Sequence, residues 1–183
     1  MTSAFSEVLD AARSGDEAAW SKLYDSVAGQ MLGYLRGRGA QDPEGLVGDS
    51  FVQIARNLRS FHGDEAGFRS WAFTVAHHRL IDERRRLNRR PNETPISDDR
   101  LHYLEARDDV AFEAIEAIDH SAVTDLLDIL SDDQRDVVLM RVLGGLSTQE
   151  TAAAIGKSEG SVRVLLHRAL SALREQMNQG VTP

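Results

Sequence analysis

The chain contains no cysteine among its 183 residues. Disulfide bonds, zinc–thiolate sites and thiol catalysis are therefore excluded, and the protein cannot sense redox state through thiols of its own. No segment approaches the roughly 18 consecutive apolar residues of a membrane span, and the amino terminus lacks the basic and apolar regions of a secretory signal. These absences predict a cytoplasmic protein that does not associate with membranes.

Basic residues are outnumbered, with 21 lysines and arginines against 29 aspartates and glutamates, and the net charge is -8. The acidity is uneven. Residues 91–120 contain nine acidic and two basic side chains, whereas segments 41–90 and 147–183 are slightly basic. This distribution predicts two folded modules joined by an acidic connector. On composition alone, a plain solvated linker explains the same charges.

Strand patterns are absent too, since no alternation of apolar and polar residues is flanked by turn signals. Apolar residues instead recur at spacings of three, four and seven, which predicts an all-α protein. A capping box of Ser131 and Gln134 predicts a helix start, and Gly144 with Gly145 predicts its end. The predicted helices cover residues 3–14, 16–38, 43–60, 68–90, 110–130 and 132–143, and the loop after the third covers 61–67.

The segment STQETAAAIGKSEGSVRVLLHRA, residues 147–169, has the pattern of a helix-turn-helix. Such a motif needs a small residue where the helices meet, a residue that tolerates positive φ at the turn, and an apolar anchor early in the second helix. Ala152, Gly156 and Val162 supply these in order. Ser147 and Ser158 are predicted to cap the two helices. The residues predicted to point inward along the second helix are Leu165, Leu166, Ala169, Leu170 and Leu173.

The outward face of this second helix carries Arg163 and Arg168. A helical hairpin that only packs shares parts of the pattern. The joint presence of caps, alanine, glycine and valine with an outward basic face nevertheless favours DNA binding in a major groove.

Six arginines lie between residues 77 and 90, beside His77 and His78. A charge run is usually a solvated helix end, but guanidinium groups next to aromatic surface suit unstacked nucleic acid. His78, Asp82 and Arg85 share one helix face, where an Asp82–Arg85 ion pair is the plainer interpretation. The neighbouring aromatic residues are Phe61, Phe68, Trp71 and Phe73.

An enzyme is the distant alternative. His78 and Asp82 have the spacing of two metal ligands, but no third ligand lies at a suggestive distance in the sequence, and His77 points about 100° away around the helix. No glycine-rich phosphate loop, nucleophile elbow or HExxH motif occurs. The sequence therefore predicts no catalysis, no metal and no cofactor.

Together these segments resemble an extracytoplasmic-function (ECF) sigma factor, the small two-domain class of bacterial RNA polymerase sigma subunits. Residues 130–175, LSDDQ through ALRE, are similar to the carboxy-terminal domain that recognises the promoter -35 element. Residues 43–86, PEGLV through ERRR, are similar to the domain that binds the polymerase clamp and opens the -10 element. The resemblance implies two small helical domains, 1–90 and 120–183, joined by an acidic linker at 91–119, the second domain being a helix-turn-helix.

The resemblance also implies roles for individual residues. Those facing the clamp coiled coil of the large polymerase subunit would be Leu46, Asp49, Ser50, Gln53 and Arg56. Those at the -10 element, around a loop that holds a flipped base, would be Phe61, His62, Asp64, Phe68, His78, Asp82 and Arg85. Those at the -35 groove would be Lys157, Ser158, Ser161, Arg163, Val164, His167 and Arg168.

Some positions depart from the pattern of the family. Gly45 and Gly48 stand where acidic residues and glutamine are usual, so the clamp contact should depend more on Asp49. His78 replaces a common asparagine, and Val164 with Leu165 replaces a common serine and arginine. These departures affect the expected promoter preference more than polymerase binding.

The implied partners are core RNA polymerase, through its clamp and flap regions, promoter DNA, and a separate anti-sigma factor. The acidic linker would pass through the polymerase channel that RNA later occupies. The main alternative is a free-standing helix-turn-helix regulator that binds operators as a dimer and uses its first domain as a sensor or dimeriser.

Overall fold

The computed structural model describes residues 4–89 and 126–179. Every regular element in these two ranges is helical, which confirms the all-α prediction there; the predicted acidic linker at 91–119 lies outside them. The first half contains α1 (Ala4–Arg13), α2 (Glu17–Asp25), α3 (Ala28–Gly37), α4 (Pro43–Asn57), a 3₁₀ turn (Leu58–Ser60) and α5 (Glu65–Arg89). The second half contains α6 (Asp132–Val142), α7 (Thr148–Ile155) and α8 (Glu159–Gln179). None of these described helices is both long and apolar enough to cross a membrane.

The single helix predicted over 16–38 is wrong, because two helices occupy these residues. α2 ends at Asp25, and α3 begins after Val27, whose φ of -139° lies outside helical geometry. The Ser26 hydroxyl donates to the carbonyl oxygen of Leu23 at 2.7 Å and closes α2. Both Leu23 and Val27 are buried, so the apolar spacing continues through the break and conceals it in the sequence.

The helix starts predicted from capping residues are confirmed. Ser131 with Gln134 and Ser147 with Glu150 both form complete capping boxes at the starts of α6 and α7. The predicted helix over 43–60 changes to a 3₁₀ turn after Asn57. The predicted loop over 61–67 is shorter than expected, because α5 already begins at Glu65.

The core of the helix-turn-helix is a small buried cluster of Val137, Ala152 and Val162. Val162 is fully buried, and Gly156 ends α7 with a φ of 67°, as the motif predicts. One predicted inward residue is wrong: Leu170 is 38% exposed. The rest of the stripe still packs inward, because Ala169 is fully buried and Leu173 packs against the core one turn later.

We expect Gly156→Ala to lower the free energy of unfolding by about 1 to 2 kcal/mol, because an added Cβ is strained at positive φ. Crowding contributes nothing, since a Cβ at Gly156 would meet no atom within 4 Å. Gly160→Ala is the matched control. Gly160 lies within α8, where alanine should stabilise by up to about 1 kcal/mol. Urea unfolding measures the free energy of unfolding of each variant, and an equal change for the two substitutions would contradict the prediction.

The two halves pack against each other through α3 and α5 on one side and α6 and α7 on the other. Gly33 and Gly37, one turn apart on α3, leave room for Leu143, which follows α6, and for Leu139 of α6. A Cβ at Gly37 would lie 2.9 Å from Leu139 Cδ1. Phe73 of α5 lies against Gly144 just after α6, and one apolar core runs through both halves.

Candidate nucleic-acid interface

The amino-terminal half of α8 presents a continuous exposed face above the buried Val162. The Ser158 hydroxyl accepts a hydrogen bond from the amide of Ser161 at 3.1 Å, and this bond caps the helix. The seven residues predicted for -35 binding all lie on this face or at its margin, and only Lys157 is half-buried. The exposed members are Ser158, Ser161, Arg163, Val164, His167 and Arg168.

Two cations of this face form ion pairs within the protein. Arg163 Nη2 lies 2.9 Å from Glu159 Oε2, and Lys157 Nζ lies 2.9 Å from Asp133 Oδ2. Both pairs are solvent-exposed, so each contributes about 0 to 1 kcal/mol. DNA phosphates or base edges can therefore displace the carboxylates at small cost.

An open depression of about 580 Å³ lies at the start of α8. Its wall includes Lys157, Ser158 and Gly160 at the helix terminus, with Val164 further along. The depression combines a cation, a hydroxyl and an exposed aliphatic group, with the Asp133 carboxylate that pairs with Lys157 also in its wall. This combination suits a base edge together with its phosphate.

The loop between the 3₁₀ turn and α5 covers residues 61–64. Asp64 caps α5, because its Oδ1 accepts a hydrogen bond from the amide of Gly67 at 2.8 Å. Phe61 stacks on Trp71 with ring centroids 5.1 Å apart and planes at 9°. Both rings are half-buried and His62 is exposed, so the loop offers aromatic surface to solvent.

Phe68 is fully buried beneath this loop and makes edge contacts with Phe61 and Trp71. Phe68, which was predicted to contact DNA, therefore offers no exposed surface in this structure, and its ring supports the loop from below. Phe73 is also buried, so of the two residues Trp71 and Phe73 only Trp71 faces outward.

His78, Asp82 and Arg85 are all exposed on one face of α5, as predicted. Arg85 Nη1 lies 3.6 Å from Asp82 Oδ1, which is the intrahelical pair of the plainer interpretation. His77 is buried and points away from this face. Within residues 4–89 and 126–179, no group of three or more potential ligands lies close enough to share a metal ion.

The predicted polymerase face of α4 divides into exposed and buried residues. Asp49 and Arg56 are exposed and Gln53 is half-buried. Leu46 and Ser50 are buried, and the Ser50 hydroxyl donates to the carbonyl oxygen of Leu46 at 2.7 Å. Leu46 and Ser50 therefore belong to the core in this structure and leave the exposed face to Asp49, Gln53 and Arg56.

Sequence reasoning also missed two features of α4. Val52 is 42% exposed beside Gln53 and adds an apolar group to the face. The start of α4 explains the glycine at position 45. Asp42 Oδ1 accepts a hydrogen bond from the Gly45 amide at 3.0 Å, and a Cβ on residue 45 would lie 2.2 Å from the Asp42 carboxylate. A side chain at position 45 would displace the cap of α4.

A buried polar cluster joins the two halves and was not predicted. Arg38 Nε and Tyr34 Oη each donate a hydrogen bond to Asp136 Oδ1 at 2.6 Å. His77 Nδ1 lies 2.8 Å from Tyr34 Oη. Because the only hydroxyl proton of Tyr34 points to Asp136, His77 carries a proton on Nδ1 and donates it to the tyrosine oxygen. We call Tyr34, Arg38, His77 and Asp136 the interface cluster.

The surroundings of the interface cluster stabilise the ionised carboxylate. Burial alone would raise the pKa of Asp136, but His77, whose Nδ1 lies 3.6 Å from Oδ1, the charge of Arg38 and the hydrogen bond from Tyr34 hold that pKa below its ordinary value. Burial and the adjacent Asp136 raise the pKa of Tyr34 well above its ordinary value, so its hydroxyl stays a donor. The cluster is therefore a neutral tyrosine between a carboxylate and an imidazole.

Comparisons with known proteins match the two helical halves of the chain. The family model described as Sigma-70 region 2 matches residues 20–90, and the one described as Sigma-70, region 4 matches residues 120–173. The ECF RNA polymerase sigma factor ShbA of Streptomyces griseus is 30% identical over 188 residues and covers 97% of each chain. The ECF RNA polymerase sigma factor BldN of Streptomyces coelicolor is 27% identical over 91% of this chain, which spans 63% of the length of BldN.

A solved structure has a similar fold. CnrH, in complex with the cytosolic domain of CnrY, superposes with a TM-score of 0.65 at 21% identity, covering 94% of this chain and 96% of CnrH. The two matched regions correspond to the two helical halves, and ShbA is similar over its full length. The chain belongs to the ECF RNA polymerase sigma factors, regulatory subunits that direct promoter-specific initiation of transcription.

Proposed function

We propose that this sigma factor recognises the -35 element with the exposed face of α8 and opens the -10 element at the loop of residues 61–64. The observation that carries the proposal is the α8 face itself. Its DNA-facing residues stand exposed on a helix anchored by the fully buried Val162. A rigid helix with an exposed face of this chemistry fits a major groove.

The chemistry of the -35 contact follows from three side chains. Arg163 is long enough to donate two hydrogen bonds to a guanine edge, and Arg168 lies further along the same face. Val164 is 49% exposed between cationic neighbours. An exposed aliphatic group on a DNA-facing helix suits the methyl group of thymine. We therefore propose that the -35 element includes both a guanine and a thymine.

At the -10 element, the stacked pair of Phe61 and Trp71 provides a platform for an unpaired base. Stacking of a base on an aromatic side chain contributes about 1 to 3 kcal/mol. His78 and Arg85 line the adjoining face of α5, where they can contact the exposed strand. Phe68 takes no direct part, since it is buried below the pair.

The polymerase contact is assigned to α4, through Asp49, Gln53 and Arg56, with Val52 as an added apolar contact. The proposed division into residues 1–90, a linker at 91–119 and residues 120–183 places one promoter element on each half. The second half would also meet the flap region. An anti-sigma factor is a proposed regulator, and a protein partner is supported by the similar fold of CnrH, which was solved in complex with the cytosolic domain of CnrY.

The test is co-purification with core RNA polymerase followed by run-off transcription. We expect the unmodified chain to bind core enzyme and to support transcription, and Asp49→Lys to lower its affinity at least about tenfold by reversing one interfacial charge. Glu7→Lys is the matched control, because Glu7 is an exposed carboxylate on α1, a helix that carries none of the proposed polymerase contacts. Dimeric operator binding without polymerase would contradict the proposal and favour a free-standing regulator.

A further inference from the structure

We propose that Arg13 of α1 is a positioning residue for promoter opening, because it holds the loop of residues 61–64 in the conformation that receives an unpaired base of the -10 element. The proposal rests on the proposed function, in which this loop opens the -10 element. It extends that function to α1, a helix that precedes residues 20–90, the range matched by the region 2 family model.

The guanidinium group of Arg13 bridges the step from the 3₁₀ turn into the loop. Its Nε donates a hydrogen bond to the carbonyl oxygen of Leu58 at 3.3 Å, and its Nη2 donates one to the carbonyl oxygen of Phe61. Leu58 begins the 3₁₀ turn, and Phe61 is the first residue after it. One rigid group therefore fixes the direction in which the chain enters the loop.

The geometry of this contact suits an arginine. Nε and Nη2 lie on one edge of the planar guanidinium, so their N–H bonds point the same way and reach two neighbouring carbonyl oxygens at once. The third nitrogen, Nη1, lies 2.8 Å from Oδ1 of Asp10, one turn earlier on α1. Asp10 therefore orients the guanidinium from behind. A lysine ammonium is a compact point charge and does not reproduce this set of bonds.

α1 does not need Arg13 to attach to the core. Its buried residues are Leu9 and Ala12, and Phe5 packs against the same core. The hydrogen bonds of Arg13 instead reach residues that lie 45 and 48 positions later in the chain. A solvated arginine at the end of α1 would leave the apolar contacts of the helix intact. The bonds of Arg13 are therefore assigned to the loop.

α1 also supports the base platform through an aromatic ring. The ring centroids of Phe5 and Phe68 lie 5.8 Å apart. Phe68 is fully buried and makes edge contacts with Phe61 and Trp71, the stacked pair proposed to receive the base. The loop is thus held at its backbone by Arg13 and beneath its rings by Phe5 through Phe68.

Ordering of the loop before DNA arrives is the expected contribution of these contacts. Residues 61–64 belong to no helix or turn. Ordering such a segment only when a base binds would reduce the affinity for that base. Hydrogen bonds from a charged donor are stronger than those between neutral groups, so Arg13 is able to keep the loop ordered in the free chain.

The mobility of the loop in the free chain is the first test. The chain has no cysteine, so His62→Cys provides a single site for a nitroxide label on an exposed loop residue. In this labelled chain, we expect Arg13→Ala to increase the nitroxide mobility seen by electron paramagnetic resonance. Arg13→Lys should give an intermediate spectrum, because lysine keeps the charge but loses the planar set of donors.

Arg36→Ala is the matched control. The Arg36 side chain is 29% exposed, against 24% for Arg13, and it also pairs with a carboxylate, that of Glu44. Glu44 lies in the first turn of α4, at the opposite end of that helix from the loop. The control should therefore leave the nitroxide spectrum unchanged.

Promoter opening by the unlabelled chains in complex with core polymerase is the second test. Because two hydrogen bonds from a charged donor are lost, the fraction of open complexes should fall about tenfold in Arg13→Ala, measured by permanganate reactivity of -10 thymines. Arg13→Lys should give a smaller loss, and Arg36→Ala should match the unmodified chain. The affinities for core polymerase and for a DNA fragment with the -35 element alone should be equal in all four chains, whereas a general loss of folding would lower both.

An unchanged nitroxide spectrum in Arg13→Ala would overturn the proposal. Normal opening by Arg13→Ala would also overturn it if Phe61→Ala, which removes a platform ring, lowers opening in the same assay. Weaker polymerase binding by Arg13→Ala would assign the residue to the fold and overturn its positioning role. Normal opening by both variants, with a more mobile label in Arg13→Ala, would refute the proposed function of the loop and confirm that Arg13 orders it.

Discussion

A chain carrying both Phe61→Ala and His62→Gly is expected to bind core polymerase normally and to fail at opening the -10 element. The first substitution removes one ring of the stacked pair with Trp71, and the second removes the exposed side chain of the loop. Unstacking a base costs a few kcal/mol, so loss of its platform should reduce opening by about tenfold to hundredfold. Permanganate reactivity of -10 thymines in the polymerase complex measures this.

The design of this variant follows from the loop geometry. Asp64 is retained because it caps α5, and its replacement would confuse loss of the platform with loss of the helix start. Ser60→Ala is the control, since Ser60 lies next to the loop and its hydroxyl only donates to the carbonyl oxygen of Asn57. Thymine reactivity equal to that of the control would refute the platform.

Two substitutions in one ion pair should change promoter affinity in opposite directions. Arg163→Ala removes a base or phosphate contact that contributes about 1 to 3 kcal/mol, so promoter affinity of the polymerase complex should fall about tenfold to hundredfold. Glu159→Gln releases Arg163 from its 2.9 Å partner and removes a negative charge near DNA. It should strengthen binding by about threefold.

Binding is best compared at one fixed salt concentration, because phosphate contacts depend on salt. The double variant Glu159→Gln with Arg163→Ala distinguishes the two causes. If Glu159 acts only by occupying Arg163, the double variant should match Arg163→Ala. Weaker binding by Glu159→Gln alone would contradict the assignment of Arg163 to DNA.

The helix-turn-helix was predictable because its signals are local. Ser147 caps its own helix, Gly156 adopts the positive φ that its turn demands, and Val162 occupies the buried anchor position. Each of these residues acts within a few positions in the chain. Propensity and spacing therefore suffice, and the predicted DNA face follows from the anchor.

The burial of individual side chains was not predictable in the same way. Periodicity identifies a stripe but not how far a neighbouring helix covers it. Leu170 was therefore predicted inward and is exposed, whereas Ser50 and Phe68 were predicted as contacts and are buried. Helices distant in the sequence take part in these outcomes, as where Phe5 of α1 contacts the Phe68 ring, and no local pattern encodes such a contact.

The interface cluster was beyond sequence reasoning for a further reason. Its bonds to Asp136 join residues separated by 98 and 102 positions, with the predicted linker between them. Arg38 resembles any charged residue at a helix end, and Asp136 resembles any exposed acid of α6. Only the packing of α3 against α6 brings them together.

The glycine groove of α3 has a consequence for the mutations that the protein tolerates. A Cβ at position 37 would lie 2.9 Å from Leu139 Cδ1, so even alanine there would force the leucine to move. Residues in contact do not respond independently to substitution. Gly37→Ala should therefore cost less stability in a chain that already carries Leu139→Ala, so that two positions far apart in the sequence behave as one unit.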